Sequence, residues 1–199
     1  MNAKRNPGLL VLIIVLLSGL VGLILSLEGI NVEGVAMMIR ATARTSMLLF
    51  SLAFAAASMH YLWKNNLTRS LLVNRRYLGL SFAYSHYLHL FGILYLQFFE
   101  TQPLIEERGW VIVSLGGVAY VLLTLMAFTS TDEMIRKMGT QNWQRLHRIG
   151  SFYIWIVFAT SYFPRALKEP FYIPFAVILV LAMTLRLVKY LKSSKAWTV

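Results

Sequence analysis

Cysteine is absent from the 199-residue chain, which excludes disulfides, iron–sulfur clusters and thiolate metal sites and leaves histidine as the only strong soft-donor ligand. There are four histidines. Charge is scarce as well, at 14% of residues with only eight acids. No aspartate or glutamate falls inside a long apolar run, so the usual carboxylate relay of a proton or cation transporter is missing. Pairs of broken, glycine-interrupted helices of the transporter kind are also missing. There is no internal repeat, no low-complexity tract and no segment long enough to fold a separate nucleotide-binding domain. Any flavin or nicotinamide domain is therefore expected to belong to another chain.

What the chain does have is apolar sequence, 58% of its residues, in runs near twenty residues long. That composition suits a chain dissolved in lipid. Between the charges lie six candidate spans: Gly8 to Leu27, Thr45 to Trp63, Tyr77 to Phe99, Trp110 to Ser130, Trp143 to Phe163 and Phe171 to Leu191. Each is expected to be a helix, because lipid offers the backbone no hydrogen bonds. The expected fold class is all-α, a single transmembrane domain over residues 1–199 with six helices and both termini cytoplasmic.

Lys4 and Arg5 precede the first run in the manner of a signal peptide. The run is too long for a signal peptide's apolar region and is read as a retained helix. With the N-terminus inside, only Arg40, Arg44, Arg108, Arg165 and Lys168 of the 19 basic residues fall in outer segments. Among the acids, Glu28, Glu33, Glu100, Glu106, Glu107 and Glu169 lie outside. This positive-inside bias accounts for the net charge of +11 without any nucleic-acid partner. Arg148 is expected at the interface or turned inward, and Arg186 and Lys189 are expected to snorkel to the headgroups. Pro170 and Pro174 suit the first turn of the last helix, and Gly116 and Gly117 read as a close-packing site.

Every histidine lies in or at the end of a span. His60 is near the inner end of the second, His86 and His89 are midway along the third, and His147 is at the inner start of the fifth. An ionisable group within a span points to function. Bundle cores commonly hold cofactors between facing helices, and haem b suits imidazole ligands, aliphatic and aromatic walls, and arginines for its propionates. Each histidine taken alone serves equally well as an interhelical hydrogen-bond donor, His60 most of all. His86 and His89 share a helical face, so one of them is expected to meet a given iron while the other bonds elsewhere. Arg75 and Arg76 serve topology whether or not they also meet a propionate.

Two motifs carry a family resemblance. Arg75-Arg76-Tyr77-Leu78-Gly79-Leu80 ahead of the helix with His89, and Trp143-Gln144-Arg145-Leu146-His147-Arg148 opening the fifth span, resemble the ferric reductase-like transmembrane domain. Within it they are most similar to the haem-binding membrane subunits of bacterial periplasmic methionine sulfoxide reductase systems. The similarity covers about residues 44 to 163. It implies haem b ligated from the third and fifth helices, with His89 and His147 at the matching positions. It also implies a location in the bacterial inner membrane, electrons from a flavin or quinol donor, and a periplasmic oxidoreductase or ferric iron as acceptor. The family's further histidine, thirteen positions after the first on the fifth helix, is Thr160 here.

Depth makes that departure matter. At the helical rise, His89 lies ~18 Å into its helix and His147 only ~5 Å into its own, while His86 reduces the gap to about 9 Å. His60 matches His147 in depth. Three states stay open: one haem with an unusual ligand pair, one five-coordinate haem, or a member without haem. A single haem with ligands from His86, His89 and His147 is the expectation, with a non-redox transporter or assembly factor on the same fold as the alternative.

Overall fold

A computed structural model of the chain describes residues 4–99 and 104–195. Glu100, and the side chains of Glu106, Glu107, Arg108 and Lys195, lie outside the described residues. All described elements are helical: α1 (Pro7–Glu28), α2 (Val32–Trp63), α3 (Asn66–Val73), α4 (Arg75–Phe99), α5 (Leu104–Phe128), α6 (Asp132–Met138), α7 (Thr140–Lys168) and α8 (Ile173–Lys195). A 3-10 turn at Pro170–Tyr172 precedes α8, so Pro170 opens that turn and Pro174 alone sits in the first turn of the helix.

Four of the helices are long and apolar enough to cross a membrane: α1, α2, the part of α5 from Gly109, and a segment from Pro170 to Ser193. The two others of comparable length, α4 and α7, carry the histidines. Asparagine side chains cap α1, α2 and α3 by accepting from Gly8, Gly34 and Thr68 backbone N–H groups, each satisfying a donor that the helix cannot pair itself. α5 is broken at Gly109, whose φ of 76° is open to glycine.

α2 and α4 form the most extensive helix pair. Their seam is built of small hydroxyl residues. Thr42, Ser46, Ser81 and Ser85 are fully buried, the Thr45 and Ser85 hydroxyls lie 2.8 Å apart, and Ser85 Oγ donates to the Thr42 carbonyl at 3.0 Å. Small side chains let two backbones approach where lipid supplies no hydrophobic drive. At one end of the seam Gly92 packs directly on Met38 and Ile39, and elsewhere Gly150 packs on Met126. These are the close-packing glycines. Gly116 and Gly117 are not, since a methyl group added at either would meet nothing.

The main core gathers Met47, Phe50 and Phe54 of α2, Phe82 of α4, Leu123 of α5, Ile154, Phe158 and Tyr162 of α7, and Leu179 of α8. Arg186 departs from the snorkelling expectation. Its guanidinium lies 4.1 Å from the Phe54 ring centroid and 4.7 Å from that of Phe152, and it donates to Ser151 Oγ at 3.4 Å. Two aromatic faces and a hydroxyl hold the cation against the core instead of releasing it to the headgroups. Arg148 is exposed and so does not turn inward.

Gly92→Val should wedge α4 away from α2 and cost about 1–3 kcal/mol, read as a lower midpoint of thermal unfolding in detergent. Gly117→Ala, in open space, should show no loss.

Candidate functional site

The first turns of α4 and α7 border a cavity of about 310 Å³ that α2 and α5 complete. Its depth is apolar, with Phe50, Phe54, Phe82 and Leu123, whereas its mouth is polar, with Arg75, Arg76, Ser130, Asp132, Trp143 and His147. Gly79 also lines it, and a side chain at that position would enter open space. Arg76 pairs with Asp132 at 3.1 Å, and Arg5 reaches the same carboxylate at 3.6 Å. The Nε of Arg76 is nevertheless buried without a partner, and Arg75 makes no hydrogen bond or ion pair with any described residue. A partly desolvated cationic mouth over an apolar chamber suits a flat, apolar ligand with anionic ends.

The structure distributes the four histidines over three places. His147 lines the cavity, its ring 4.4 Å from that of Trp143, whose indole N–H donates to the Thr129 carbonyl at 3.0 Å. His86 and His89 are stacked on α4 with centroids 5.2 Å apart and planes 13° apart. Tyr120 stacks on His86 at 4.8 Å and donates through its hydroxyl to the His86 carbonyl. His60 faces a separate recess between α2, α3 and α8. No group of three or more metal-binding side chains forms among the described residues.

With each serine or threonine hydroxyl giving its proton to the carbonyl in reach, the hydrogen bonds assign the imidazole tautomers. His89 Nδ1 lies 3.0 Å from the Ile39 carbonyl, which can only accept. His86 Nδ1 lies 3.1 Å from Ser46 Oγ, whose own proton goes to the Ala43 carbonyl, so His86 also donates from Nδ1. The same logic holds for His60 against Thr68, which donates to the Asn65 carbonyl. Three rings therefore present Nε2 as the basic nitrogen, the arrangement in which a backbone or hydroxyl oxygen orients an imidazole for a metal. His147 is reversed. Its Nε2 lies 3.3 Å from Thr129 Oγ1, which donates to the Leu125 carbonyl, so Nδ1 carries the lone pair.

Phe82 borders both the cavity and a small void at His86 that Phe158 also lines. The ring centroids of Phe82 and Phe158 are each 5.6 Å from that of His86, and only about 10 Å³ of free space remains beside them. At this depth α7 turns Phe158 inward, while Thr160 is exposed and donates to the Val157 carbonyl. Sequence reasoning missed Phe82, Phe158 and Tyr120. Only Phe82, four residues before His86 on the same helical face, carried a signal in the sequence.

Selective ¹⁵N-histidine NMR of the haem-free protein should show three imidazoles protonated at Nδ1 and one at Nε2. Thr129→Val should change the chemical shifts of that one alone.

The family described as ferric reductase like transmembrane component matches residues 40–160. Among curated proteins, the chain is 33% identical over 138 residues to the protein-methionine-sulfoxide reductase heme-binding subunit MsrQ of Azospira oryzae, covering 64% of this chain and 56% of that protein. It is 36% identical over 106 residues to the MsrQ of Rhodospirillum rubrum, covering 51% and 48%. It is 34% identical over 84 residues to the magnetosome protein MamZ of Magnetospirillum gryphiswaldense, covering 40% and 13%. The chain thus spans about half the length of the MsrQ proteins it matches. No solved structure matches. With the match running from α2 through the cavity and the stacked histidines into α7, the chain belongs to the ferric reductase-like transmembrane family.

Proposed function

We propose that the chain is a membrane electron-transfer subunit that holds haem b and passes electrons across a bacterial inner membrane to a periplasmic acceptor. The observation that carries this is the cavity at His147, with an apolar depth, two arginines at its mouth and a buried guanidinium nitrogen lacking a partner. Haem fits that chemistry. His147 and one of the α4 pair, His86 or His89, are the iron ligands, and Arg75 and Arg76 hold the propionates. His60 takes no part. Bound haem supplies a one-electron couple whose potential follows ligand type and burial. The protein's share is to keep the chamber dry, orient the imidazoles through Ser46 and the Ile39 carbonyl, and balance the anionic ends. The likeness to proteins named as heme-binding subunits of a methionine sulfoxide reductase supports an oxidoreductase partner; in this reading the partner is periplasmic and the donor is a flavin or quinol.

In this reading all six long helices cross the bilayer, α4 and α7 included, with both termini cytoplasmic. Because the chain has no cysteine, single introduced thiols test this cleanly. Asn66→Cys should be labelled from the cytoplasmic side only, and Glu169→Cys from outside only.

Purified protein should show a b-type reduced-minus-oxidised spectrum. His147→Ala should lower haem retention by roughly ten-fold or more, and replacing Arg75 and Arg76 together by glutamine should weaken it by a smaller factor. Phe82, which lies between the cavity and His86, favours the second reading, a non-redox member of the family. A colourless preparation with haem supplied in excess would establish that one, whereas a spectrum untouched by replacing His86, His89 and His147 together would overturn the ligand assignment.

A further inference from the structure

A second recess, of about 570 Å³, opens between the end of α2, α3 and α8. Lys64, Arg69 and Lys189 line it, as do His60 and Tyr61, and no aspartate or glutamate does. None of the three cations takes part in an ion pair among the described residues. Like charges repel, so a recess lined by three cations and no carboxylate suits an anion that shares the site.

The backbone holds them there. Lys64 sits at φ 33° and ψ 37°, the one non-glycine residue with positive φ among those described. A left-handed residue with a Cβ costs about 1–2 kcal/mol, and such strain persists where the surroundings determine it. The capping box of Asn65 and Thr68 fixes the start of α3 directly after Lys64, and Thr68 also holds His60. Turn, helix start and imidazole are locked as one unit that sets Lys64 and Arg69 opposite Lys189.

Position in the fold decides which anion. Trp63 is 54% exposed, Tyr190 69% and Leu67 69%, so an indole, a phenol and an apolar side chain face outward next to the recess. Aromatic rings of this kind gather at headgroup level, and basic pockets between membrane helices at that level bind anionic headgroups. We propose that this recess binds the phosphate of an anionic phospholipid, with Lys64, Arg69 and Lys189 as its cations and the acyl chains running down the lipid face of α2 and α8. This site is separate from the haem reading and stands or falls independently of it.

The test uses the full chain in nanodiscs of phosphatidylcholine with a minor fraction of phosphatidylglycerol, with retained lipid measured by native mass spectrometry. Each interfacial cation contributes roughly a five-fold factor, so the triple variant Lys64→Gln, Arg69→Gln, Lys189→Gln should lose on the order of a hundred-fold in preference for phosphatidylglycerol. A matched triple variant at Arg136, Lys137 and Arg145 should keep it. Lys64→Gly, which suits the left-handed backbone, should raise thermal stability while weakening phosphatidylglycerol retention. Equal losses in the two triple variants would reduce the effect to general surface charge and overturn the proposal. Inorganic phosphate displacing the lipid at millimolar concentration would overturn the headgroup assignment in favour of a soluble anion.

Discussion

The seam between α2 and α4 is the constraint on which the rest of the structure depends. Lipid is as apolar as leucine, so two helices gain from each other only through close packing and hydrogen bonds. This pair uses both. Hydroxyls at 42, 45, 46 and 85 and the missing side chain at Gly92 bring the backbones together. The same seam supplies the oxygens that orient both α4 imidazoles, Ser46 Oγ for His86 and the Ile39 carbonyl for His89. Packing and imidazole orientation are therefore one feature of the sequence. A change that loosens α2 from α4 also releases the rings.

Around the cavity the charges show what the apolar sequence alone does not. Arg75, Arg76 and Arg186 converge on one end of the bundle, and Asp132 is the only carboxylate lining the cavity there. Arg186 is held by aromatic faces and by Ser151, itself a lining residue. Burying guanidinium groups with too few anions is costly unless a ligand brings the missing charge. In the proposed haem reading two propionates would supply it at the mouth, where the Nε of Arg76 is buried without a partner. The second recess is likewise lined by cations without a carboxylate among the described residues.

Much of this was legible in the residues. Long uncharged runs gave α1, α5 and α8 within a few positions, because hydrocarbon thickness limits the choices. α2 was read thirteen residues short. Arg40 and Arg44 looked like loop charges, yet the helix continues through them, with Arg40 exposed and Arg44 set 4.7 Å from the Phe171 ring centroid. The three-residue spacing put His86 and His89 on one face, as found. The inward turn of Arg186 and the packing role of Gly92 in place of Gly116 and Gly117 depend on which face of a helix meets which neighbour. Composition does not encode that. The placement of Phe82 and Phe158 is of the same kind, since an aromatic residue at helical spacing reads as core whether it fills a chamber or borders one.

That placement also bears on ligand depth. Counted from the helix starts at Arg75 and Thr140, His147 and His86 differ by about 6 Å along their axes, and His147 and His89 by about 11 Å. The earlier start of α7 brings His86 nearer to His147 than the apolar boundaries implied, which makes it the better placed of the α4 pair. Phe82 lies one turn before His86 on the same face and borders both the cavity and the small void beside that imidazole. One aromatic side chain thus lies between the cavity lined by His147 and the small void lined by His86. Under the proposed haem reading, the rotamer of Phe82 would set whether His86 and His147 can face one ligand, and the exposed Thr160 offers no substitute on α7.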